Sequence, residues 1–131
     1  MINNIKQVNS LEFITRWEGL DETRLSDSLK LTIFRIVQEQ LNNILKHAQA
    51  RSILILLAQK DCLLELSIKD DGIGFDSSKK RNGVGLQNII SRAELYSGKV
   101  LINSEPGKGC ELIVLFKANQ KTASAQKVLR A

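Results

Sequence analysis

The sequence predicts an α+β fold, a two-layer α/β sandwich in which a mixed sheet carries helices on one face. Three observations lead to this prediction. Two segments, about 29–48 and 86–97, repeat apolar residues at the three- and four-residue spacing of amphipathic helices. Five short runs have the alternating or continuous apolar character of strands, and four of them pair across turn residues. Between the hairpins, residues 70–85 contain four glycines and no apolar periodicity, which predicts a loop.

The N-terminal part predicts one strand and then the longest helix. Residues 10–17 alternate apolar and polar side chains, which indicates a half-buried strand. A polar loop follows, and Ser26 or Ser28 is placed to cap the helix that runs from about Leu29 to Ala48. The expected apolar face of this helix consists of Ile33, Phe34, Val37, Leu41, Ile44 and Ala48.

The remaining elements form two hairpins and a second helix. The runs 52–59 and 62–69 are close enough to pair through Lys60–Asp61, and the runs 99–105 and 110–117 flank the turn-forming group PGKG. The second helix, from Leu86 to Ser97, meets Gly98 as its expected stop.

Length and composition predict one domain, residues 1–117, with a flexible tail at 118–131. The net charge of +5 suits a polyanionic partner, but 5% aromatic residues without interleaved arginines argue against nucleic acid. The longest apolar run, Ile53 to Ala58, is far below the roughly 20 residues that cross a bilayer. We therefore expect a cytoplasmic domain without membrane contact, whether or not its parent protein is anchored, and we expect Cys62 and Cys110 to be reduced core residues.

The long helix gathers polar groups on one side. At about 100° per residue, Asn43, Lys46 and His47 lie within about 80° of Glu39. Such a row is often no more than the solvated face of an amphipathic helix. By itself it predicts no chemistry.

The glycine loop adds a second candidate. In the pattern DxGxG, Asp70 ends a strand and is able to accept a hydrogen bond from an exocyclic amine such as that of adenine, while Gly72 and Gly74 let the backbone approach a planar ligand. Gly83, Gly85 and Leu86 then open the second helix, where amides and the helix dipole favour phosphate. Each pattern alone is also common in ordinary turns, and the GxxxxGK[ST] phosphate loop is absent.

Taken in order, these motifs resemble the Bergerat-type ATP-binding fold shared by histidine kinases, type II topoisomerases, mismatch-repair ATPases and heat-shock chaperones. FRIVQEQLNNILKHA resembles the N box of histidine kinases, particularly of the nitrate-response type. DDGIGF resembles the G1 box, GVGLQNI with Arg92 the G2 box, and GKGCEL the final glycine motif. The resemblance covers roughly residues 8–117.

The resemblance implies ATP and Mg²⁺ as cofactors and assigns roles to the motif residues. Glu39 matches the acidic catalytic residue, Asn43 the magnesium ligand, and Asp70 the adenine-binding aspartate. Lys46 and His47 match positions near the phosphates. The glycines of the two G boxes match Gly72, Gly74, Gly83 and Gly85, and the basic group Lys79, Lys80 and Arg81 between the boxes either screens phosphate or is a solvated loop.

Two departures shape the expected function. Cys110 stands where the family often has threonine, and the lid at 75–82 is short, as in sensor kinases. No helical pair with a phosphoacceptor histidine precedes residue 10, and His47 is the only histidine. We expect a histidine-kinase catalytic domain that transfers the ATP γ-phosphoryl group to a histidine on a dimerisation domain, with a response regulator downstream, and that does not label itself. The alternatives are an anti-sigma-type serine kinase and a nucleotide-sensing module without catalysis.

Overall fold

The computed structural model describes residues 3–8, 11–74 and 84–117. The predictions for Gly83, for the basic group at 79–81, for the lid and for the tail at 118–131 lie outside these residues. The elements are β1 (Asn3–Val8), β2 (Leu11–Glu18), a 3₁₀ turn (Glu22–Arg24), α1 (Asp27–His47), β3 (Ser52–Lys60), β4 (Leu63–Asp70), α2 (Val84–Glu94), β5 (Lys99–Ser104) and β6 (Cys110–Lys117).

The six strands form one mixed sheet in the order β1-β2-β3-β4-β6-β5. Strands β2 and β3 are parallel, whereas all other neighbours are antiparallel. Parallel neighbours need a crossover connection, and α1 supplies it. Helix α1 packs against α2 and β4, and α2 packs against β5, so the predicted α+β sandwich with helices on one face is confirmed.

The core lies between the helices and the central strands. Alternate residues of β4 and β6, together with Ile36 of α1 and Ile89 of α2, are almost completely buried, as the strand period of two requires. The fully buried side chains of the two strands are Leu64, Leu66, Ile68, Leu112, Val114 and Phe116. Both predicted hairpins are present, and Leu63 already pairs with Lys60 across the first turn.

Helix α1 differs from its prediction in which residues it buries. Ser26 is the cap, because its side chain accepts a hydrogen bond from the backbone N–H of Leu29 at 3.1 Å. Phe34, expected in the core, is 58% exposed, while Ile36 and Gln40 are buried. The buried stripe therefore runs through a carboxamide that the apolar pattern did not include.

Two smaller features also depart from the sequence analysis. Strand β1, which pairs with β2, was not predicted. At the end of α2, Ser97 and not Gly98 takes the left-handed conformation, with φ of 54°, while the Gly98 N–H donates to the Ala93 carbonyl at 2.8 Å. Within the part of the chain that the structure describes, no helix has the length and apolar character needed to span a membrane.

Candidate functional site

A cavity of about 340 Å³ opens between the second half of α1, the start of α2, the loop after β4 and strands β5 and β6. Its apolar walls are formed mainly by Ile44, Ile73, Leu86, Ile102 and Leu112. Its polar groups are Gln40, Asn43, His47, Asp70 and Cys110. Apolar walls with a few convergent polar groups are typical of small-molecule sites.

Asp70 is the buried carboxylate of this cavity. It ends β4, and its side chain is only 3% exposed. Oδ1 accepts a hydrogen bond from the backbone N–H of Gly72 at 2.8 Å, whereas Oδ2 has no hydrogen-bond partner among the described residues. Burial raises the pKa of Asp70 above its usual value, and the nearby charge of Asp71 adds to the rise, although the Gly72 hydrogen bond opposes it. A ligand with an N–H donor would satisfy the remaining oxygen.

Asp71, the next residue, has a structural role. Its Oδ1 accepts hydrogen bonds from the backbone N–H groups of Arg51 at 2.8 Å and Ser52 at 2.9 Å, and its Oδ2 accepts from the Ser52 hydroxyl at 3.1 Å. These bonds, chiefly the one from the Ser52 backbone, lower the pKa of Asp71. Asp71 thereby ties the glycine loop to the start of β3 and leaves Asp70 to face the cavity.

Gly72 and Gly74 are required by contacts within the protein. A Cβ atom at Gly72 would collide with the carbonyl oxygen of Ala48, which also accepts a hydrogen bond from Ile73 N–H at 2.7 Å. A Cβ atom at Gly74, whose φ is 63°, would collide with the backbone carbonyl of Glu105. The end of α1 and the turn before β6 therefore hold this loop on both sides.

The start of α2 lies directly against the polar side of α1. A Cβ atom at Gly85 would lie 2.5 Å from Asn43 Oδ1 and 2.8 Å from Glu39 Oε2. An amide oxygen, a carboxylate oxygen and the first turn of a helix thus meet at one point beside the cavity. Helix N-termini attract anions, and Mg²⁺ bound with phosphates commonly takes only one or two protein oxygens and keeps several waters. The donor set therefore fits a magnesium-phosphate group, although the described residues contain no cluster of three or more metal-binding side chains.

The other predicted site residues do not all line the cavity. His47 and Leu86 line the cavity, as Asn43 and Asp70 do. Lys46 is exposed on α1 and does not form part of the wall. The binding roles of all these residues remain predictions.

Sequence reasoning missed Gln40, whose side chain lines the cavity and is 7% exposed. The signal was its spacing of three residues before Asn43 and four before Ile44, on the side of α1 that faces the sheet.

The prediction that both cysteines are core residues is wrong. Both thiols are free and half-buried, and Cys62 lies in the β3–β4 turn. Cys110 pairs with Asp70 across β4 and β6 and lines the cavity. Burial, reinforced by the charge of Asp70, raises the pKa of the Cys110 thiol to about 11.

A second cavity, of about 840 Å³, lies between α1 and strands β2 and β3. It is larger, but its two charged lining residues, Glu22 and Lys30, pair with each other at 3.3 Å at the surface. The smaller cavity, which contains Asp70, is therefore the candidate site.

Comparison with known proteins shows the family of this chain. Residues 28–120 match the family model described as histidine kinase-, DNA gyrase B-, and HSP90-like ATPase. An uncharacterized sensor-like histidine kinase of Chloroflexus aurantiacus is 38% identical over 102 residues, which cover 72% of this chain and 17% of the relative. The signal transduction histidine-protein kinase/phosphatase UhpB of Salmonella typhimurium is 40% identical over 88 residues, covering 67% of this chain and 18% of the relative. The chain thus spans less than a fifth of the length of these two relatives.

Solved structures show the same fold. The blue-light activated histidine kinase of Erythrobacter litoralis superposes with a TM-score of 0.67 at 15% identity, over 87% of this chain and 37% of that one. The ATP binding domain of PrrB from Mycobacterium tuberculosis gives 0.62 at 20% identity, over 70% and 71%. The fold is therefore the Bergerat fold that the motifs implied. By its family match, the chain belongs to the histidine kinase-, DNA gyrase B-, and HSP90-like ATPases, and its domain is of the ATP-binding type found in sensor histidine kinases.

Proposed function

We propose that this chain is the catalytic domain of a two-component sensor histidine kinase, of the nitrate-response type, that transfers the γ-phosphoryl group of ATP to a histidine on a dimerisation domain. A response regulator would receive the group next. The observation that carries the proposal is the buried Asp70, whose free Oδ2 faces a cavity that leads to Asn43, Glu39 and the start of α2.

Adenine recognition is assigned to Asp70. Its Oδ2 would accept a hydrogen bond from the exocyclic amine of adenine, while Ile44, Ile73 and Leu112 would supply apolar walls for the ring. Guanine has a carbonyl oxygen at the corresponding position, which would oppose the carboxylate. The site should therefore bind ATP more tightly than GTP.

The phosphates are assigned to the start of α2, beside Asn43. There Asn43 Oδ1 is the protein oxygen that would hold Mg²⁺, and His47 and Lys46 add basic groups on the same side of α1. When bound, Mg²⁺ would neutralise charge on the transferring phosphoryl group. Glu39, beside Gly85 and half-buried, would accept or orient the N–H proton of the acceptor imidazole while the phosphoryl group is transferred.

The test separates nucleotide binding from transfer. With labelled ATP and Mg²⁺, the chain alone should bind ATP without becoming labelled, and a cognate dimerisation domain supplied in trans should become labelled at an acid-labile site. Transfer in trans should be slow, because the effective concentration of a linked acceptor is missing. Glu39→Gln should keep ATP affinity nearly unchanged and lower transfer by about 100-fold or more, since general-base assistance is lost.

Other outcomes would point elsewhere. Equal affinity for ATP and GTP would remove the adenine assignment of Asp70. Acid-stable labelling of a serine in a partner protein would identify an anti-sigma-type serine kinase. Tight ATP binding with no transfer to any dimerisation domain would indicate a nucleotide-sensing module. If Glu39→Gln abolishes binding and transfer equally, Glu39 organises the site and is not the base.

A further inference from the structure

Gln40 is one of six buried polar or charged residues among those the structure describes, and the cavity uses two of them, Gln40 and Asp70. A buried carboxamide is costly unless it is hydrogen-bonded. The Oε1 atom of Gln40 accepts a hydrogen bond from Nδ2 of Asn43 at 3.2 Å, between positions i and i+3 of α1. Gln40 is thus hydrogen-bonded to Asn43, the residue whose Oδ1 is the proposed magnesium ligand.

This pairing matters because an asparagine side chain has two chemically opposite ends. Oδ1 is an acceptor and a hard oxygen ligand, whereas Nδ2 is a donor that no cation binds. The two ends have nearly the same shape, so packing alone does not select one of them. Because Gln40 Oε1 accepts from Nδ2 of Asn43, this hydrogen bond holds the Nδ2 end of the amide and leaves Oδ1 free to face elsewhere.

The direction that remains for Oδ1 is the start of α2. A Cβ atom at Gly85 would lie 2.5 Å from Oδ1 of Asn43 and 3.1 Å from its Nδ2, so the oxygen is the nearer atom at this point. Glu39 Oε2 approaches the same point from one turn earlier on α1. Gln40, which is buried, contacts the Nδ2 end of the Asn43 amide.

We infer that Gln40 is a positioning residue for this nucleotide site, which fixes the Asn43 carboxamide so that Oδ1 is presented to the magnesium-phosphate group. The inference rests on the proposed role of Asn43. Groups that orient a metal ligand through a hydrogen bond typically change metal affinity about 10- to 100-fold when they are removed. Gln40 touches neither the reacting atoms nor the acceptor histidine in this assignment.

The direct test is Gln40→Met, which keeps an unbranched side chain of similar length and removes the acceptor. Calorimetry gives the ATP affinity with Mg²⁺ and with EDTA, and the ratio of the two is the magnesium dependence. Gln40→Met should reduce this ratio by about tenfold, and the ratio corrects for any change in affinity that does not depend on Mg²⁺. Gln40→Leu repeats the loss of the acceptor with another shape, so a folding defect in one variant does not decide the result.

Gln59 offers a matched control. It is also a buried glutamine, 8% exposed, and its Oε1 accepts a hydrogen bond from the backbone N–H of Asp21 at 2.9 Å, away from the cavity. Gln59→Met therefore removes a buried carboxamide and one hydrogen bond from the same fold. Its melting temperature should fall, but its magnesium ratio should equal that of the wild type.

A second experiment, in the Asn43→Asp background, separates an effect of Gln40 on the orientation of the residue 43 side chain from an effect on packing. Asn43→Asp places an oxygen at both ends of the side chain, so orientation no longer matters. Adding Gln40→Met to Asn43→Asp should therefore leave the magnesium ratio of that background unchanged, although the same change lowers it about tenfold beside Asn43. An equal loss in both backgrounds would show that Gln40 acts through packing and would overturn the inference.

The remaining outcomes distinguish this inference from the proposed function. If the wild-type chain binds ATP equally with and without Mg²⁺, the assignment of Asn43 fails and the role of Gln40 falls with it. If ATP binding by the wild type depends on Mg²⁺ but Gln40→Met has the same magnesium ratio as Gln59→Met, the inference about Gln40 is wrong and the proposed function stands.

Discussion

At the scale of single residues, Asp70 and Asp71 show how neighbouring carboxylates acquire opposite properties. Asp71 receives three hydrogen bonds from Arg51 and Ser52, and these lower its pKa. Asp70 receives one from Gly72 and is buried, and burial raises its pKa. The Asp71 carboxylate therefore stabilises the fold, whereas ionising the Asp70 carboxylate carries a cost that its proposed role in adenine binding would explain.

This difference predicts opposite effects of removing the two charges. The pKa of Asp70 is raised, so its contribution to stability is fully present below its unfolded pKa near 3.8 and is lost as pH rises through the folded value. At pH 7, Asp70→Asn should therefore raise the free energy of unfolding by about 1 kcal/mol, since the amide oxygen still accepts from Gly72. The gain should shrink as pH falls towards 3.8, and urea titrations at several pH values measure it.

ATP binding by Asp70→Asn should be lost, because Nδ2 then opposes the adenine amine. Asp71→Asn is the control. Its folded pKa is lowered, so its stabilisation exists above the unfolded value near 3.8, and the variant should be less stable at pH 7. If Asp70→Asn were the less stable of the two at pH 7, the account of Asp70 as a costly functional charge would be wrong.

Cys110 gives a chemical probe of the same cavity. Only the thiolate reacts with alkylating reagents, and the pKa of Cys110 is raised to about 11. Its alkylation by iodoacetamide at pH 8 should be slow and should accelerate about tenfold per pH unit towards pH 11. Saturating ATP should protect Cys110 and leave Cys62 in the β3–β4 turn unprotected, which peptide mass spectrometry can follow. Equal rates for both thiols with and without ATP would place Cys110 outside the nucleotide site.

At the scale of elements, two glycines set the positions of α1, the loop after β4 and α2. Gly72 allows the loop to pack against the Ala48 carbonyl at the end of α1. Gly85 allows the start of α2 to approach Asn43 and Glu39. The first contact is with rigid backbone, while the second is with side chains that carry the proposed chemistry. Substituting the two glycines should therefore affect different properties.

Gly72→Ala should lower the free energy of unfolding by more than about 2 kcal/mol, because the new Cβ collides with the Ala48 carbonyl and the backbone must move. Gly85→Ala should change stability little, since alanine favours a helix and the side chains it meets are able to rotate. Instead it should weaken magnesium-dependent ATP binding, because Asn43 Oδ1 is displaced. Chemical denaturation and calorimetry on both variants check this separation. Gln87→Ala, at an exposed position of α2, is the control. The reverse pattern would contradict it.

The sequence predicted most of the helices and strands because their signals are local. The alternation in β4 and the turn residues between β5 and β6 are local signals, and both hairpins were predicted to within a few residues. Predictions from local signals failed where long-range contacts determine burial or strand pairing. Phe34 fits the apolar face of α1 in sequence but is 58% exposed beside the cavity between α1 and strands β2 and β3, and β1 depends on pairing with β2.

At the scale of the whole molecule, the two α-helices of the described residues cover only part of the six-stranded sheet. Strands lie about 4.8 Å apart and helices about 10 Å apart, so two helices cover about four strands. They pack over β4 and β5, and the uncovered remainder explains the larger cavity beside β2 and β3 and the exposure of Trp17 and Phe34. The site, in contrast, lies where both helices meet the sheet.

The sequence by itself determined the fold class, most of the elements and the motifs that carry the ATP-binding resemblance, because propensity, periodicity and glycine patterns act over a few residues. It also singled out Asp70, Asn43 and Glu39 as candidates. Only the tertiary structure decided that Asp70 is buried with one oxygen free while Asp71 is tied to β3. It alone showed that Gln40 accepts from Asn43, because helical spacing brings the two side chains together but does not show which atoms bond. It alone showed that Gly85 brings α2 against Glu39 and Asn43, because these residues are far apart in the chain.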